Sequence, residues 1–157
     1  MIAVIRPDSF NFPLLLHVLG AMVLVGGVGT AVAAQIFGWR GREPADTAMF
    51  GRVAFRALVF VALPAWFLMR IGGQWIYSRE GWDEVDAEPS WLGIGFMTGD
   101  FGGIVLLASI VLAGLGARRA VRARGGGGIL GRIATVAAAL VLVLYLVAVW
   151  AMTAKPS

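Results

Sequence analysis

The chain has no cysteine. Structural disulfides and thiolate metal centres are therefore excluded, and the redox compartment leaves no mark on the sequence. It has one histidine, His17, two tyrosines and one lysine, Lys155, and only 14% of its 157 residues are charged. With so few charges, lipid must solvate much of the remainder. At 59% hydrophobic residues and a mean hydropathy of +0.84, the chain carries more apolar surface than a water-soluble domain of this length can bury. Four apolar runs, about 12–37, 53–77, 91–116 and 131–152, each reach the roughly 20 residues that span a bilayer core as a helix. The expected architecture is all-α: one transmembrane domain, an antiparallel four-helix bundle with short connections.

The pI near 10.7 invites a nucleic-acid partner, but the positions of the charges argue against one. Arg40, Arg42, Arg52 and Arg56 flank the first connection, and Arg118, Arg119, Arg122, Arg124 and Arg132 flank the third. The second connection, "REGWDEVDAEPS", is acidic, and the termini carry only Arg6 and Lys155 as cations. Arginine-rich loops mark the cytoplasmic side, so both termini and the acidic connection are expected outside. Phe10, Phe12, Trp75, Tyr77, Trp82, Trp91 and Trp150 then form the outer aromatic belt, with Trp39 at the inner interface. "AVAA" at 31–34 resembles a signal-peptidase site, but the preceding apolar run is long for a signal peptide and Asp8 offsets Arg6, which favours a retained first helix. Arginine in place of lysine, with abundant Gly and Ala, suggests a bacterium with a GC-rich genome, and the expected location is then its cytoplasmic membrane.

Counted at about 1.5 Å per residue, His17 lies roughly 8 Å below the outer end of its helix. Arg70, Asp100 and Tyr145 lie roughly 10 to 14 Å below theirs. Gln74 stands one turn above Arg70 and Trp66 one turn below, on one stripe of the second helix. An arginine facing hydrocarbon costs at least about 2.5 to 3.5 kcal/mol, whereas an inward Arg70–Asp100 pair matches charge and donors. The alternatives are an Arg70 that snorkels to the headgroups, an ion pair that only orients two helices, a His17 that only packs, and a Tyr145 hydroxyl that points up to the interface. "GIGFMTGDFGG" sets Gly95, Gly99 and Gly103 at the four-residue spacing that lets helix backbones approach. The first helix offers a similar patch at Gly20, Gly26, Gly27 and Thr30; these faces either close the bundle or meet a second copy or another membrane protein. The acidic connection lacks the glycine and the twelfth-position glutamate of an EF-hand loop and reads as a solvated outer loop. "RRAVRARGGGG" serves as the inside signal, with anionic lipid as an alternative role, and its glycines read as a linker.

"LHVLGAMVLVGGVG", "PAWFLMRIGGQWIY", "SWLGIGFMTGDFGG" and "GLGARR" resemble a group of uncharacterised bacterial integral membrane proteins, over most of the chain up to Arg119. More distantly, the "LHVLG…GG" opening is similar to the membrane domain of copper-resistance D proteins and to the membrane-embedded protoporphyrinogen oxidase. The latter resemblance implies a haem ligand at His17. Three functions follow as expectations. The outer polar group of His17, Arg70, Gln74, Asp100 and Tyr145 binds a small ligand, proton or ion; or the protein is an accessory subunit; or it is a haem-binding redox protein. No catalytic grouping and no metal site is read from the residues.

Overall fold

The computed structural model describes residues 11–41, 44–84, 89–122 and 128–155. The chain forms four long helices and, among the described residues, no strand. Helix α1 is Asn11–Arg40. Helix α2 runs without a break through Pro44–Ala57, Leu58–Ala62 and Leu63–Arg79. A single 3-10 turn, Trp82–Glu84, precedes α3, Ser90–Arg122, and α4 is Gly128–Ala154. All four are long and apolar enough to cross a membrane. The protein is a multi-pass membrane protein built as an antiparallel four-helix bundle.

Each helix outruns its apolar stretch, mostly at the arginine-rich end, because hydropathy registers only what sits in hydrocarbon. The basic turns remain helical beyond it: Arg40 closes α1, Arg52 and Arg56 lie within α2, and Arg118, Arg119 and Arg122 lie within α3. Arg42 and Arg124 in the connections, Arg6 and Phe10 near the start, and Asp86 and Glu88 fall outside the described residues. At the opposite end the expected aromatic belt is seen in ring contacts: Phe12 with Trp75, Tyr77 with Phe96, and Trp82 with Trp91. Arg79 lies over Trp75, and Lys155 over Trp91. These contacts bring the start of α1, the end of α2, the start of α3 and the end of α4 to one aromatic end of the bundle.

Pro64 shapes α2. Proline has no N–H and its ring crowds the preceding turn, so an unmodified α-helix would leave an unpaired carbonyl there. The chain widens instead into one π turn at Leu58–Ala62, in which the Leu63 N–H bonds the Leu58 carbonyl. The helix therefore continues across the proline.

In lipid, apolar burial gives little drive for helix association, so close packing and interhelical hydrogen bonds must hold the bundle. Leu24, Val28, Leu58, Leu106 and Val141 are fully buried at its centre. Large apolar side chains cover its outside, among them Met22, Phe60, Met97, Ile104 and Val136, as contact with lipid requires. Helix α1 packs along α2 and α4, and α3 along α4. Between α2 and α3, contact runs chiefly through Pro44–Ala57, at the arginine-rich end. In the aromatic half these two helices draw apart, and side chains must bridge the gap.

Glycine makes the α1–α2 seam. A Cβ at Gly72 would sit 2.6 Å from the His17 amide nitrogen and 2.8 Å from the Pro13 carbonyl oxygen. At Gly20 it would meet the backbone of Met69 and Ala65, and at Gly27 that of Ala62. Gly26 has open space, and its carbonyl accepts the Thr30 hydroxyl, so it makes no helix contact. Contrary to expectation, Gly26 takes no part in closing the bundle.

Candidate functional site

The wedge where α2 and α3 separate is filled from both sides. Trp66, on α2, donates its Nε1–H to the Gly99 carbonyl of α3 at 3.1 Å, and its indole lies where a Gly103 side chain would begin. One turn further along α2, Arg70 pairs with Asp100 at 2.5 Å and lies 5.0 Å over the Phe96 ring. From α4, Tyr145 enters against Gly102, where a Cβ would be 2.8 Å from its hydroxyl. The α3 glycines therefore do something other than their spacing suggests. Gly103 and Gly102 admit rings, Gly95 admits the Met152 side chain, and Gly99 is buried with room for a Cβ. At none of these four is the nearest neighbour another helix's backbone, so side chains fill the places where a backbone seam was expected.

Trp66, Arg70, Asp100 and Tyr145 thus bring α2, α3 and α4 to one polar cluster. The Arg70–Asp100 pair forms as expected, but it lines the open side of the wedge: 26% of the Arg70 side chain and 59% of that of Asp100 are exposed. Tyr145 reaches the opposite extreme. It is 2% exposed and its hydroxyl makes no hydrogen bond of good geometry: the Trp66 N–H beside it is donated to the Gly99 carbonyl, and Arg70 and Asp100 act on it through their charges. An unpaired buried hydroxyl costs about 1 to 3 kcal/mol, so this group calls for an acceptor or donor.

The other two expected members lie elsewhere. Gln74 is exposed and has no part in the cluster. His17 belongs to the α1–α2 seam: its ring sits on Gly73, and its Nδ1 lies 2.8 Å from the Met69 carbonyl, the distance of an N–H donation. Depth along each helix put His17 level with Arg70, but azimuth separates them, since Met69 and Arg70 face different neighbours. The fit of a haem can be judged from the same seam. The Met69 carbonyl occupies Nδ1 and leaves Nε2 as the only nitrogen that could ligate, and the chain has no second imidazole, so its own residues supply no axial pair.

Three polar residues that sequence reasoning passed over also join helices. Gln35, buried in α1, accepts a hydrogen bond from Thr135 of α4, and Thr47 donates to the Gly38 carbonyl at 3.0 Å. An amide inside "AAQIFG" was the available signal, because polar groups within a span need partners. Among the described residues, no three His, Asp or Glu side chains gather as a metal site would require.

Compared with protein-family models, with curated proteins and with solved structures, the chain gives no match in any of the three.

Proposed function

We propose that the α2–α3 wedge is a polar binding site for a small ligand, proton or ion that enters from the outer face of a bacterial cytoplasmic membrane. In this reading both termini and the acidic connection lie outside, as the arginine distribution supports. The observation that carries it is the buried, unpartnered Tyr145 hydroxyl set behind an exposed ion pair. Helix length accounts for the exposure. Helix α3 has 33 residues and is about 50 Å long, well beyond a hydrocarbon core of about 30 Å. If Arg118 marks the inner boundary, Asp100 stands about 27 Å away along the axis, close to the outer headgroups. There, water reaches the carboxylate while Trp66 and Tyr145 remain sheltered behind it.

The test is thermal stability of the detergent-purified protein against small anions, cations and pH, wild type beside Tyr145→Phe. Without ligand, the variant should unfold within about 1 kcal/mol of wild type, because the hydroxyl it loses had no partner. With the right solute, wild type should be stabilised by mass action and Tyr145→Phe much less. If no solute shifts wild type, the ligand-binding reading fails.

A second reading is an accessory subunit of a membrane assembly. Asp100 favours it, being exposed beside the lipid-facing Met97, Phe101 and Ile104 of α3. In that case a partner helix covers the carboxylate, and crosslinking from position 97 in native membranes should capture a distinct protein or a second copy.

A further inference from the structure

At the arginine-rich end, where α2 and α3 still touch, glycines hold the two helices close. The Phe55 ring is 3.0 Å from where a Gly114 Cβ would be, and a Cβ at Gly51 would meet that of Ala117 at 3.7 Å. Arg52 follows Gly51, and Arg118 follows Ala117. Because the helices are antiparallel, one further step of about 100° round each axis turns both arginines to the same side of this seam. The opposite side is the core, where Ala54, Leu58, Ala113 and Ala120 are buried. Arg52 and Arg118 are accordingly exposed, and they stand within about 3 Å of one level along the bundle.

Arg56 adds a third cation to this face. It lies one turn beyond Arg52 on α2, exposed like it and about 6 Å nearer the middle of the bundle. No carboxylate among the described residues pairs with Arg52, Arg56 or Arg118. Asp46, which begins the same helix, is turned to α1 and lies against Gly41. With Arg118 at the boundary of the hydrocarbon, Arg56 stands on its apolar side, where a guanidinium facing lipid needs a counter-charge. A long side chain can extend back toward the surface and meet one there.

We infer that this face of the α2–α3 seam binds one anionic phospholipid, its phosphate shared by Arg52, Arg56 and Arg118. Charge selects the headgroup. Three cations without a carboxylate match a phosphodiester that carries net charge, whereas a zwitterionic headgroup brings an ammonium of its own. The apolar residues beyond the arginines favour lipid over free phosphate. Val111 and Leu107, two and three turns from Arg118 on the same face of α3, are exposed and give an acyl chain its track toward the middle of the bundle.

The experiment is native mass spectrometry and thermal stability of the full chain in detergent, titrated with phosphatidylglycerol, phosphatidylcholine or inorganic phosphate. Phosphatidylglycerol should be retained and should stabilise, and the other two should do much less. Arg52→Gln and Arg118→Gln should each weaken its retention about fivefold, and the double variant about twentyfold or more. Arg119→Gln is the control. It removes the same charge from the same turn of α3, but Arg119 is turned about 100° from Arg118, away from the seam, so retention should stay at the wild-type level. All three arginines are exposed, and glutamine keeps a helix as well as arginine does, so each variant should fold. Equal losses from Arg118→Gln and Arg119→Gln would mean that only overall charge attracts the lipid, and would overturn the inference. So would equal retention of phosphatidylcholine or an equal response to inorganic phosphate. None of these outcomes bears on the wedge, whose Asp100 lies about 27 Å from Arg118 along α3.

Discussion

Gly72→Val should abolish the bundle, whereas Gly26→Ala should leave it unchanged or slightly more stable. A Cβ at Gly72 meets backbone atoms of α1, the His17 nitrogen and the Pro13 oxygen, and neither can swing aside as a side-chain end could. Overpacking costs about 1 to 3 kcal/mol where side chains can shift. Here α1 must move as a whole, breaking the His17–Met69 bond and the Gly20 and Gly27 contacts with it, so about 3 kcal/mol or more is expected. Gly26 has empty space where its Cβ would be, and alanine gains about 0.5 to 1 kcal/mol of helix propensity over glycine. The fraction of protein surviving as a monodisperse species after graded heating in detergent checks both. A folded Gly72→Val would show that the α1–α2 seam is looser than described.

The second large effect concerns the ion pair. Arg70→Leu and Asp100→Leu should each destabilise by about 1 to 2 kcal/mol, because each strands the opposite charge at the edge of the hydrocarbon. The double replacement should recover most of the loss. An interaction energy of at least about 1 kcal/mol in that cycle is the expected result. Additive single effects would mean that the two charges are solvated separately and that the 2.5 Å contact holds nothing together.

Much of this architecture can be read in the residues, and what cannot has a common cause. Span number and antiparallel order follow from hydropathy and charge distribution, and the Arg70–Asp100 pairing from opposite charges at a similar level on neighbouring spans. Periodicity and rise fix depth, but they leave open which neighbour a helix face meets. So His17, level with Arg70, turned out to face another seam, and Gln74, on the Arg70 stripe, turned out to be exposed. Gly95, Gly99 and Gly103 have the spacing of a backbone seam, yet glycine leaves room equally for a ring, and Trp66 and Tyr145 lie far away in sequence. The closest seam instead runs through Gly20 and Gly72, and Gly72 lies in "RIGGQW", where no small-xxx-small pattern marks it. Tyr145, whose hydroxyl the sequence left free to reach the interface, is the most buried member of the cluster. Its partners depend on α2 and α3 separating, which no local pattern encodes.

The central claim is that water reaches the Arg70–Asp100 wedge and that Arg70 is the charge waiting there. Because the chain has no native cysteine, Asp100→Cys gives a single reporter thiol. Membrane-impermeant thiol reagents, one anionic and one cationic, should both label it in proteoliposomes. The anionic reagent should react faster, drawn by the Arg70 guanidinium, and should restore part of the lost stability. A thiol that neither reagent labels, or equal rates that stay equal when Arg70→Leu is added, would contradict the account.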